Sequence, residues 1–134
     1  MNIDRHDSMP IATHDDVVRV RQRVRDWAVT LGFSLVDQTK LVTAASELAR
    51  NTLIYGGGGT LTLEALTNDR KRGLRLTFED QGPGIADVEL ALRGGYTTGD
   101  GLGLGLSGAR RLTQDFQINS RPGEGTRVMI ARWN

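Results

Sequence analysis

Apolar residues recur along this chain in two rhythms, one helical and one alternating, and they divide it into blocks. Val17, Val20, Val24, Trp27 or Ala28, and Leu31 fall about one helical turn apart, which predicts a first amphipathic helix. Asp15 and Asp16 stand at its start and Gly32 at its end, the residue types that open and close helices. From Asp37 to Tyr55 the chain lacks Gly and Pro and repeats the pattern with Leu41, Ala44, Ala45, Leu48 and Tyr55, a second helix. Gly56 to Gly59 then form a loop. The rhythm changes to alternation over 60–66 and 73–79, clearest at Leu74, Leu76 and Phe78, so two strands should flank the turn from Asn68 to Gly73 as a hairpin. A short helix near 87–92, a loop at 93–100, a helix near 106–114 and strands at 115–120 and 125–133 complete the order. Before the first helix, residues 1–9 are polar and read as a disordered tail, with Pro10 to Thr13 as a short strand. The expected fold class is α+β. It is a two-layer sandwich with helices on one face of a mixed, mostly antiparallel sheet, and residues 10–134 form a single domain.

Composition narrows the partners more than it names them. The chain has 134 residues, 17 basic and 16 acidic, for a net charge of +1. That balance gives no reason to expect nucleic acid or an anionic membrane. There is no cysteine, which removes disulfides and thiolate metal sites and fits a reducing compartment. No apolar run approaches the length of a membrane span, and Met1 to His14 is too polar for a signal peptide. The expectation is a soluble, cytoplasmic protein. Arg19, Arg21, Arg23 and Arg25 make the outward face of the first helix either a solvated surface or a dock for an acidic partner. His6 and His14 fall outside every motif and receive no role.

Three segments carry candidate chemistry. On a helix, Glu47 and Asn51 share one stripe a turn apart. A carboxamide oxygen is a hard, neutral ligand that suits Mg²⁺, an ion that takes much of its octahedron from water and substrate phosphates. The carboxylate is then free to act on a hydroxyl. An isolated E-x-x-x-N is usually just the wet side of a helix, and only the glycines downstream change that balance. Asp80 ends the strand Leu74 to Phe78 and enters the loop Gln81-Gly-Pro-Gly84. Gly82 and Gly84 permit close backbone approach and Pro83 restricts the loop, as a wall against a planar ligand requires. The alternative is an ordinary Gly-Pro turn. Finally, Gly101, Gly103 and Gly105 alternate with Leu102, Leu104 and Leu106 ahead of a helix. Such a ladder lets backbone N–H groups face an anion. It is neither a Walker motif nor a Rossmann fingerprint, because no Lys-Ser/Thr follows and no strand precedes.

The order E-x-x-x-N, D-x-G-x-G, a glycine-bearing lid and G-x-G-x-G resembles the GHKL ATPase superfamily over most of the chain. Ser46-Glu-Leu-Ala-Arg-Asn51, Glu79-Asp-Gln-Gly-Pro-Gly-Ile85 and Gly123-Glu-Gly-Thr126 look most like the RsbT type of serine/threonine kinase, the switch kinases of bacterial stressosomes. The resemblance implies ATP and Mg²⁺. It implies that Glu47 polarises the attacking hydroxyl and that Asn51 binds the metal. Asp80 would accept a hydrogen bond from the adenine amino group, Gly82 and Gly84 would line the base, and Thr126 would support that contact. Gly101, Gly103 and Gly105 would approach the phosphates. By the same resemblance the substrates are STAS-domain proteins, and a PPM-type phosphatase is the target activated on release. Tyr96, Thr97 and Thr98 fall in the expected lid, and Ser107 is either a phosphate contact or a helix cap. No Lys or Arg lies from Gly94 through Gly108, and Asp100 beside the ladder departs from what phosphates favour.

Three other functions compete with this one. An anti-sigma factor kinase would hold a sigma factor as well as phosphorylate its antagonist, but the segment Thr52-Leu-Ile-Tyr-Gly56 lacks the histidine expected in that group. A non-catalytic nucleotide-gated binding module would have less need for Glu47. A histidine-kinase fragment is weaker still, since no dimerising helix pair with a phosphoacceptor histidine is present.

Overall fold

The computed structural model describes residues 1–92 and 102–134. The elements run β1 (Asn2–Ile11), α1 (His14–Thr30), α2 (Leu35–Ile54), β2 (Gly59–Asn68), β3 (Lys71–Asp80), α3 (Val88–Leu92), α4 (Leu102–Arg111), β4 (Asp115–Ser120) and β5 (Thr126–Trp133). The five strands form one sheet in the order β1-β2-β3-β5-β4. The sheet expected to be mixed is antiparallel at every one of these pairings.

Register explains why the alternation was so regular. Leu61 lies opposite Phe78 and Phe78 opposite Val128, while Leu63, Leu76 and Ile130 make the next row. These residues point to one face and join Val20, Val24, Trp27, Leu41, Leu48 and Ala109 of the helices in a single buried core. The other face carries polar rows, including Glu64 and Arg75 held as an ion pair at 2.9 Å. It is interrupted where the Trp133 ring lies over Gly73, so close that a Cβ there would meet the ring at 2.7 Å.

The polar start of the chain is a strand, which corrects the expected disordered tail at residues 1–9. Asn2 to Ile11 pairs with β2 along its length, with a register shift between Ile3 and Arg5. Three things hold it. Met9 and Ile11 are buried, the Arg5 guanidinium stacks 4.0 Å from the centroid of Trp27, and Arg23 reaches Asp7 at 2.6 Å. A strand at a sheet edge packs on one side only and is exposed along much of its length, so its sequence reads as tail. Arg19 is likewise paired, with Asp16 at 2.8 Å, so two of the four arginines on this face, Arg19 and Arg23, are engaged within the chain itself.

Helix α1 begins on a capping box. The Thr13 side chain accepts the Asp16 N–H, and the Asp16 carboxylate returns to the Thr13 N–H. Helix α2 is capped by Ser34 through the Asp37 N–H. The hairpin is tighter than expected, because β2 and β3 run on to Asn68 and Lys71 and Asp69 takes a left-handed conformation, φ 57°. Helix α4 starts earlier than the expected 106, so Gly103 and Gly105 lie within it rather than in a loop. None of the helices among the described residues is long and apolar enough to cross a membrane.

Candidate active site

A cavity of 400 Å³ opens between α2, the loop after β3, α4 and the start of β5. Asn51, Asp80, Gly84 and Thr126, all singled out from sequence, line it. Apolar side chains from both layers, Leu48, Phe78, Ile85, Leu106 and Val128, form much of the remaining wall, as suits the faces of a planar group.

Asp80 anchors one end. It closes β3 opposite Thr126 of β5, and its Oδ1 accepts the Gly82 N–H at 2.9 Å. Burial pushes its carboxyl above the ordinary range, while the backbone N–H groups of Gly82 and Thr126 work in the other direction. The space it occupies exists because position 56 is glycine. A Cβ on Gly56 would lie 2.4 Å from the Asp80 side chain, and one on Gly82 would lie 2.7 Å from the Gly56 backbone. Gly82 thus sits behind the wall, packed on Gly56, and Gly84 lies on the wall itself.

The loop bearing Asp80 is clamped to the turn between β4 and β5. Gly123 donates its N–H to the Pro83 carbonyl at 2.8 Å, and the Ile85 N–H donates to Ser120 Oγ at 2.8 Å. The two backbones approach so closely that a Cβ on Gly84 would stand 2.0 Å from the Arg121 carbonyl oxygen, and one on Gly125 would stand 2.1 Å from that of Asp80. Gly84 and Gly125 both have positive φ, 75° and 79°, so conformation and space each call for glycine.

Glu47 and Asn51 meet at the opposite end, where α4 crosses α2. A Cβ on Gly105 would lie 3.1 Å from Asn51 Nδ2 and 3.3 Å from Glu47 Oε2. The stripe expected from the E-x-x-x-N spacing is therefore real, and Gly105 is the residue that lets α4 close on it. Glu47 stands beside the cavity rather than on its lining. Gly103 lies in the first turn of α4. Gly101, the lid residues Tyr96, Thr97 and Thr98, and Asp100 lie outside the described residues.

Two polar atoms of residues that line the cavity, Asn51 Nδ2 and Tyr55 Oη, are buried with no hydrogen-bond partner among the described residues. Such groups are costly unless something else satisfies them. No cluster of three or more acidic, histidine or cysteine side chains is present among the described residues. The available donors, one amide oxygen and one nearby carboxylate, fit an ion that draws most of its ligands from phosphate and water, the habit of Mg²⁺.

The sequence reading missed Tyr55 and Thr52 as site residues, placing Tyr55 in the core and leaving Thr52 unassigned. Continuing the i, i+4 series 47, 51, 55 would have found Tyr55. It also missed Gly56 and Ser120. Ser120 has no local signal, because only strand register brings it to the loop after Asp80.

Comparison with known proteins adds the following. The family model described as histidine kinase-, DNA gyrase B-, and HSP90-like ATPase matches residues 36–133. The chain is 45% identical over 123 residues to the serine/threonine-protein kinase RsbT of Bacillus subtilis (strain 168), covering 92% of each. It is 28% identical over 121 residues to the anti-sigma F factor of Thermoanaerobacter sp. (strain X514), covering 84% of this chain and 82% of that one. In fold it is similar to the solved RsbU and RsbW domains of a Mycobacterium tuberculosis protein, with a TM-score of 0.66 at 20% identity, covering 96% of this chain and 32% of that one.

Proposed function

This chain belongs to the histidine kinase-, DNA gyrase B- and HSP90-like ATPase family as an RsbT-like serine/threonine-protein kinase, and from that premise we propose that it acts in the cytoplasm on STAS-domain regulators of a bacterial stressosome. ATP supplies the γ-phosphoryl group and a serine or threonine hydroxyl receives it. When released from the stressosome, the kinase activates a PPM-type phosphatase. The observation that carries the reading is the meeting of Glu47 and Asn51 against Gly105 at one end of a cavity that the half-buried Asp80 lines as well.

The roles follow from chemistry at each end. Asp80 keeps one oxygen on the Gly82 N–H and has the other to accept from the adenine amino group. A carbonyl in that place would meet a carboxylate and leave a buried group unpaired. Gly84 lines the base and Gly82 supports the loop from behind, while Thr126 stands beside Asp80. Gly101, Gly103 and Gly105 approach the phosphates. Asn51 offers its amide oxygen to Mg²⁺, which when bound neutralises phosphate charge. Glu47 accepts the proton of the attacking hydroxyl as the new oxygen–phosphorus bond forms, and the bond to the bridging oxygen breaks to release ADP. Positioning and charge do most of the work.

The test is transfer from γ-labelled ATP with Mg²⁺ to a panel of STAS-domain proteins, with Glu47→Ala and Asn51→Ala run alongside. Label on a STAS serine or threonine, lost in both variants, is the expected result. The similarity to an anti-sigma F factor supports a second reading, in which the chain also holds a sigma factor. Co-purification of a sigma factor would favour it. Nucleotide binding without any transfer would leave only a nucleotide-gated binding module.

A further inference from the structure

We propose that Ser120, which does not line the cavity, sets which bases the site accepts by fixing the proton of Thr126. The inference rests on the nucleotide reading of the cavity and names a positioning residue for it. Ser120 Oγ has one proton to give and two lone pairs. Three groups surround it: the Ile85 N–H at 2.8 Å, the Gly125 carbonyl at 3.1 Å and the Thr126 hydroxyl at 2.8 Å. The Ile85 N–H can only donate and the Gly125 carbonyl can only accept. If Ser120 gives its proton to Gly125, Thr126 must give its own to Ser120, and every donor and acceptor in the cluster is used. If Ser120 donates to Thr126 instead, the contact with Gly125 is lost and one Ser120 lone pair goes unused. Half-buried polar networks favour the complete arrangement.

In that arrangement the Thr126 proton points away from the cavity and only its lone pairs face in. Thr126 is paired across the strands with Asp80, so the two residues form one edge that accepts hydrogen bonds and donates none from a side chain. Such an edge takes a base carrying an exocyclic amino group and rejects one carrying a carbonyl there. Asp80 supplies the charge, and Ser120 keeps Thr126 from turning its proton inward to meet a carbonyl.

The experiment is calorimetric binding of ATP and of inosine triphosphate, each with Mg²⁺, to the intact protein and its variants. The wild type should prefer ATP. Ser120→Ala frees the Thr126 proton and should reduce that preference by about tenfold, the scale of one hydrogen bond gained by the wrong base. Ser120→Thr, which keeps the hydroxyl, should restore it. Thr126→Val in the Ser120→Ala background should change the preference no further, since Ser120 acts through Thr126. If Ser120→Ala does not fold, Ser120→Cys, close in size with a much weaker donor and acceptor, makes the same test. An equal loss for both nucleotides would reduce Ser120 to a structural brace and overturn the inference, as would an unchanged preference. Failure of the wild type to bind either nucleotide would overturn the reading of the cavity as well, which separates the two failures.

Discussion

The Asp80 carboxylate is held in its cavity against the interest of the fold. Burial raises its carboxyl, so the folded protein binds this proton more tightly than the unfolded chain. The stabilising contribution of that proton is complete at low pH and disappears as pH rises through the raised value. At neutral pH the charged form therefore costs stability. Asp80→Asn should raise the melting temperature at pH 7 by a margin that shrinks as pH falls, while weakening ATP binding about a hundredfold, the scale of a charged hydrogen bond lost. Thermal scans across pH and calorimetry on one variant would check both. The glycines of the adjoining loop separate conformation from contact. Gly56→Ala must push Asp80 aside, so nucleotide affinity should fall by about tenfold or more. Gly57→Ala has nothing within 4 Å but sits at φ 74°. It should cost roughly 1–2 kcal/mol of stability and leave binding unchanged.

Among the elements, α4 carries the clearest conflict between local preference and position. Glycine lowers helix stability by about 1 kcal/mol relative to alanine, yet Gly105 is inside α4, facing Glu47 and Asn51. Gly105→Ala should leave melting unchanged or slightly raised and lower the phosphoryl-transfer rate by about tenfold, because the neighbours must shift by a few tenths of an ångström. Steady-state kinetics beside thermal unfolding would separate these effects. Helix α1 makes the opposite case, where local sequence and fold agree. Its capping box uses Thr13 and Asp16, and Thr13→Ala should cost about 1 kcal/mol in denaturant unfolding without altering kinetics. The sequence reading placed this start from Asp15 and Asp16, because caps act over three or four residues. It placed α4 too late, since a glycine ladder signals a loop when only neighbours in sequence are considered.

Across the whole molecule, one side chain ties both layers together. Arg132 of β5 donates to Asp37 at the start of α2, at 2.7 Å, and to the Leu112 carbonyl just past α4, at 2.8 Å. Its hydrogen bond holds the Asp37 carboxyl below the ordinary range, more than burial raises it. A lowered carboxyl stabilises the fold above the ordinary carboxylate range, and that contribution is lost as pH falls through the lowered value. Arg132→Met should cost about 2 kcal/mol at neutral pH, and the gap to the wild type should narrow in acid, as urea unfolding at several pH values would report. Periodicity, caps and glycine preferences are local, so the two long helices, the central strands, the stripe of Glu47 and Asn51 and the turn after Asp80 are legible in the order of residues alone. That the stretch expected as a tail pairs as part of the strand Asn2–Ile11, that Gly56 makes room for Asp80, that Gly105 lets α4 close on Glu47 and that Ser120 reaches Thr126 emerges in the folded chain alone. Those are matters of strand register and of how closely two backbones approach, and residues distant along the chain settle them together.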